Sequence, residues 1–192
     1  MQVRKGFSLL EVVGTLVVVG ILLTLAAPKI KAKIYEAKVT KLANNIIALK
    51  DAESQFNSDT GSYAYAPRCF VDKNWGSYDK VCGDPDRFAG PYVDMRVSGW
   101  VDCTLDPTAS QSDKAGCFEP DYGDTVEITD TKGTHGAVAV TGLDQQTAYD
   151  VYSVIVGKPI GTKYSSDPSD STTGAWVEKD ATSGKYTVYV SF

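Results

Sequence analysis

From Phe7 to Ala27 the chain runs 21 residues with a single charge, Glu11. At about 1.5 Å per residue such a helix is roughly 30 Å long, enough to cross the hydrocarbon core of a bilayer. Gly14 and Gly20 weaken the helix slightly. Pro28 lacks the N–H for an intrahelical bond, so a bend is expected where the apolar run ends. After Pro28 the pattern turns amphipathic. Tyr35, Val39, Leu42, Ile46 and Leu49 step by 4, 3, 4 and 3, and Phe56 falls seven later. That spacing is one face of a helix, which would pack on the protein's own head. Lys38, Lys41, Asn44, Asn45, Lys50 and Glu53 lie between these positions. Asp59-Thr60-Gly61-Ser62 carries turn chemistry and ends the pattern. Residues 7–57 therefore predict one helix of about 75 Å, its first half of membrane-spanning length and its second half a domain scaffold.

Residues 58–125 show no sustained period. They hold five prolines (Pro67, Pro85, Pro91, Pro107 and Pro120) and much Gly, Ser and Asp. From residue 125 onward β-branched and aromatic residues cluster in short runs between turns. These are Thr125–Thr129, Ala137–Val140, Tyr149–Val156, Ala175–Lys179 and Tyr186–Val190, and each is read as a strand. The expected fold is α+β: one long N-terminal helix packed on a C-terminal antiparallel sheet of four or five strands, with a loop-rich head at 58–192.

Charge is unevenly placed. Residues 1–60 hold 8 Lys and Arg against 5 Asp and Glu, whereas residues 61–192 hold 11 against 19. An acidic head argues against nucleic-acid binding through its bulk surface, because phosphate contact needs concentrated positive charge. Four cysteines, Cys69, Cys82, Cys103 and Cys117, all lie in the acidic part. Four cysteines allow three pairings, and sequence does not choose among them. The expectation is Cys69–Cys82 with Cys103–Cys117, since each pair closes a short loop. The tight C-x-x-C spacing of a zinc site is missing.

Glu11 carries more information than any other residue of the run. A lone acid inside a spanning segment is costly and normally has a partner or a function. A secretory signal peptide fits poorly, because the run is long, carries an acid and offers only Thr24-Leu25-Ala26 near a cleavage site. The surrounding residues Lys5-Gly6, Phe7-Ser8-Leu9-Leu10-Glu11, Gly20 and Pro28 resemble the class III signal of type IV pilins and type II secretion pseudopilins. The resemblance is close over residues 4–28 and weak after about residue 65. It implies that residues 1–6 are a leader, cut after Gly6 by a prepilin peptidase, and that Phe7 becomes the N-methylated first residue. It implies that Glu11 neutralises the terminal amine of a neighbouring subunit. It also implies a kink at Pro28, and a span from Gly20 to Pro28 that can melt in a filament. The physics agrees on one point: the apolar run contains no Lys or Arg, and an amine created at Phe7 would lie one helical turn from Glu11. Basic residues flank the run on both sides, so charge alone does not orient it; the resemblance places the head outside the cytoplasm.

No phosphate-binding glycine loop, nucleophile elbow or H-E-x-x-H motif is present. His135 is the single histidine, and it sits in a turn-like Lys132-Gly133-Thr134-His135-Gly136 run with nothing around it to build a triad. No organic cofactor is expected. Calcium is the one candidate ligand, at an oxygen-rich loop containing Asp167 and Asp170; major pseudopilins, which this part faintly resembles, bind calcium in a C-terminal loop. The resemblance thus implies a non-enzymatic filament subunit of a type IV pilus, supporting adhesion, motility or DNA uptake. Its partners would be further copies of itself, the prepilin peptidase, an inner-membrane assembly platform and, before assembly, the inner membrane. A pseudopilin of a type II secretion system, confined to the periplasm, is the alternative, favoured by Gly90-Pro91-Tyr92-Val93. An anchored extracytoplasmic enzyme is the third possibility, and the missing catalytic motifs speak against it.

Overall fold

The computed structural model describes residues 9–64, 67–70, 82, 84–93, 126–131 and 134–192. The chain divides into two compact units, Met1–Ala37 and Lys38–Phe192. Helix α1 (Leu9–Thr60) contributes to both and is helical through Pro28. In the first unit its side chains are almost all exposed. In the second unit Val39, Leu42, Ala43, Ile46, Leu49, Ala52, Phe56 and Thr60 are buried, at spacings of one, three and four residues. This stripe anchors the core of the head, as helical periodicity requires. The helix ends at Thr60, three residues beyond the expected Asn57. Gly61 then takes φ +72° and its N–H donates to the Asn57 carbonyl, a left-handed stop that a glycine adopts without strain.

Short 3-10 turns follow at Pro67–Phe70 and Pro85–Arg87. Phe56 of α1 meets Phe70 and Tyr92 edge to face, at 5.8 and 5.7 Å between ring centroids. These contacts seat the loop segments on the helix, and such pairs add to simple area burial.

The sheet is built from β1 (Val126–Thr131), β2 (Thr134–Leu143), β3 (Ser169–Asp170), β4 (Ala175–Lys179) and β5 (Tyr186–Ser191). Their order is β1-β2-β5-β4-β3, and all pairs are antiparallel. Register lines up one apolar row across four strands: Val126, Val140, Val188 and Val177. All four are buried, as cross-strand pairing on a core face predicts. On the opposite face Trp176 and Tyr189 stack nearly parallel, 4.9 Å apart.

One sequence expectation is overturned. Tyr149–Val156 is not a strand; it lies in and just beyond helix α2 (Gln145–Ile155). Asp144 caps that helix, its carboxylate accepting from the Thr147 N–H at 3.0 Å and from the Thr147 hydroxyl at 2.7 Å. Ala148, Val151, Tyr152 and Ile155 recur at i, i+3, i+4 and i+7, a helical period hidden inside an apparent Tyr/Val alternation. The cap, with no turn signal between it and the run, decides the outcome. Helix α2 packs against β4 and β5, with Tyr149 edge-on to Tyr186 at 5.8 Å. The fifth strand of the sheet is the short β3 instead.

The last residue is also tied down. Phe192 stacks on Tyr63 at 6.3 Å between centroids. Gly136, at φ +80°, lets this ring approach so closely that a Cβ there would stand 1.8 Å from it. A side chain at position 136 is therefore excluded by contact as well as by backbone conformation.

Candidate functional site

The first candidate site is the apolar part of α1. The twelve large apolar side chains from Leu9 to Leu25 are each between 47% and 84% exposed. Its most apolar 18-residue window is long enough to cross a membrane, and none of that window is buried. A core helix would be mostly covered, so this surface requires either lipid or other protein chains. Its polar side chains are satisfied locally where they are hydroxyls. Thr15 donates to the Val12 carbonyl at 2.8 Å and Thr24 to the Ile21 carbonyl at 2.7 Å. Neither hydroxyl is thus left to seek water in an apolar medium.

Of the residues singled out from sequence, Gly6 and Phe7 lie outside the described residues. Glu11 lies in the first turn of α1, within the exposed apolar run. Beyond the chain neighbours and the helix's own backbone, no atom of the described residues comes within 4 Å of where a Cβ would stand at Gly20, and the same holds for Gly14. Pro28 lies inside α1 just before Lys29, Lys31 and Lys33.

The head has its own features. Cys69 and Cys82 form a disulfide with 5.4 Å between Cα atoms, and both residues are buried. Cys103 and Cys117 lie outside the described residues. Tyr92 donates to the Asp59 carboxylate at 2.9 Å and accepts from the Ala89 N–H at 3.1 Å. That tie joins the 84–93 segment to the end of α1.

Glu53 is a polar residue among the apolar positions of the helix, and it is fully buried. It follows Ala52 on the buried stripe and precedes Phe56 by three residues. Oε1 accepts from the Ala64 N–H at 2.9 Å, while Oε2 has no hydrogen-bond partner among the described residues. Burial raises its pKa from 4.5 to about 7, and the Ala64 hydrogen bond only partly opposes this. The signal that could have found Glu53 is its spacing, four residues after Leu49 and three before Phe56; it is missed when the stripe is read from apolar residues alone.

The proposed calcium residues are engaged within the fold. Asp167 Oδ1 accepts from the Tyr149 hydroxyl at 2.8 Å. Asp170 Oδ1 accepts from the Thr172 and Thr173 N–H groups at 2.7 and 3.0 Å. These bonds, Thr173 first, hold the Asp170 carboxyl below its ordinary value. Among the described residues no three His, Cys, Asp or Glu side chains group to hold a metal ion. His135 lies in β2.

Residues 1–27 match the family model described as the prokaryotic N-terminal methylation motif. This is the class III signal of type IV pilins and pseudopilins, so the chain carries a pilin-type N-terminus on an α+β, pilin-like fold. The motif implies processing by a prepilin peptidase, and with the apolar helix it fits a membrane-anchored precursor. Neither a curated protein nor a solved structure matches the chain.

Proposed function

We propose that this protein is a structural subunit of a type IV pilus. A prepilin peptidase would cut it after Gly6, and methylation would follow at Phe7. The observation that carries this reading is the methylation motif over residues 1–27 continuing into an exposed apolar helix. Before assembly that helix sits in the inner membrane. In the fibre it exchanges lipid for the same helix of neighbouring copies, with no net loss of apolar burial. Glu11 sets register by meeting the terminal amine of the next copy, a buried pair that is satisfied only in the correct stagger. Gly20 and Pro28 mark the part of the helix that yields as the subunits pack. The acidic head forms the outer surface, and adhesion, motility or DNA uptake are properties of the assembled fibre.

A pseudopilin of a type II secretion system would use the same helix, and Gly90-Pro91-Tyr92-Val93 favours that alternative. The intact mass of the protein sheared from the cell surface separates the two. A chain starting at Phe7 with one added methyl, present in the sheared fraction, supports an external pilus. The same mass confined to the membrane fraction supports the pseudopilin. An uncut chain starting at Met1, in cells with a competent peptidase, refutes both.

A further inference from the structure

The lysines that follow the apolar run are not used by the assembly reading. Lys29, Lys31 and Lys33 are all exposed, and no acidic residue occurs between Glu11 and Glu36. Helical geometry distributes them around the axis. At about 100° per residue, Lys33 lies roughly 40° from Lys29, and Lys31 lies roughly 200° from it. Two lysines therefore point to one side and the third to the other. A contact with one protein face would gather the charges on a single side. Charges on opposite sides of a helix suit a medium that surrounds it.

The axial dimensions agree. From Leu9 to Ala27 the helix rises roughly 30 Å, the thickness of the hydrocarbon core. Lys29 to Lys33 then spans about 6 Å, close to the roughly 5–8 Å that the headgroups of one leaflet add. Ile30 and Ile34, each more than half exposed, extend the apolar surface between the lysines. Long lysine stems can follow such a surface while their ammonium groups stay at the polar layer. Lys33 shares its charge with Glu36 at 2.5 Å, an exposed ion pair that a phosphate can readily replace.

We propose that Lys29, Lys31 and Lys33 form a collar that binds anionic phospholipid headgroups at the C-terminal end of the membrane span. This rests on the membrane-anchored precursor. The collar fixes the depth of the helix in the bilayer and holds the subunit there until assembly removes it.

The test uses the full chain in phosphatidylcholine bilayers containing traces of spin-labelled phosphatidylglycerol or phosphatidylcholine. Electron paramagnetic resonance reads the immobilised fraction of each lipid. The native chain should prefer phosphatidylglycerol several-fold, about fivefold for each lysine that reaches the charged surface. The preference should fall toward parity in K29Q/K31Q/K33Q and in about 1 M NaCl, and persist in K29R/K31R/K33R. Arg4 and Lys5 are unchanged in every variant, so the difference reports the collar. Equal preference in the native and glutamine proteins overturns the proposal. So does a glutamine variant that keeps the lipid preference but loses self-association in sedimentation, which assigns the lysines to the acidic head of a second copy. If alkaline carbonate strips the native chain from the bilayer, the anchored reading falls and the collar with it; an embedded chain without lipid preference removes the collar alone.

Discussion

Replacing Glu53 with Gln isolates the effect of one buried carboxyl on the pH dependence of folding. In the native state the pKa is about 7, against 4.5 as the ordinary value. The folded protein therefore holds a proton that the unfolded chain releases as pH rises above 4.5. Stability from this group is greatest below that value, declines across the interval to about 7, and is fully lost above it. The 2.5-unit difference corresponds to about 3 kcal/mol at roughly 1.4 kcal/mol per unit. Glutamine keeps the carbonyl oxygen that accepts from Ala64 and has no proton to lose. Urea unfolding of the full chain in detergent, followed by tryptophan fluorescence at pH 5, 6 and 8, should show a falling native stability. The Glu53→Gln protein should lack that component, and its advantage over the native chain should grow by about 3 kcal/mol between pH 4.5 and 8. Subtracting the two curves cancels the other acids, including Asp144 and Asp170, whose lowered values act at more acidic pH. Parallel curves across this interval would refute the argument that the carboxyl is protonated in the fold.

Three further outcomes are expected. Replacing Cys69 and Cys82 by Ser opens a loop with a sequence separation of 13 and should cost roughly 3 kcal/mol, read from the urea midpoint under oxidising conditions. Asp144→Ala removes the N-cap of α2 and should cost about 1 kcal/mol, whereas Asp144→Asn should recover most of it in the same assay. Glu11→Ala should leave the precursor inserted and cleaved but reduce its recovery in sheared fibres; undiminished recovery would count against the register role.

The pattern of residues carried the architecture further than it carried the chemistry of the head. The stripe Val39, Leu42, Ile46, Leu49 and Phe56 is buried because a helix repeats every 3.6 residues wherever it packs. Runs such as Ala175–Lys179 and Tyr186–Val190 pair as strands because alternation places one face on the core. Tyr149–Val156 misled because tyrosine and valine favour strands intrinsically, while its conformation was settled upstream by the cap at Asp144. Glu53 follows the period of the α1 stripe, four residues after Leu49 and three before Phe56, so its angular position leaves it no route to water despite its polar side chain.

By itself, the sequence determined the features whose causes are local. These are an apolar helix of membrane length, the methylation motif at its start, the lysines at its end and the amphipathic continuation. Each depends on residues within a few turns of one another. Tertiary structure alone decided which carboxylate Tyr92 reaches and whether Glu53 is charged. Those depend on segments beyond a helix turn or a strand pair being brought within a few ångströms. Periodicity tells which face a residue occupies, but a pKa or a side-chain hydrogen bond depends on what stands opposite that face.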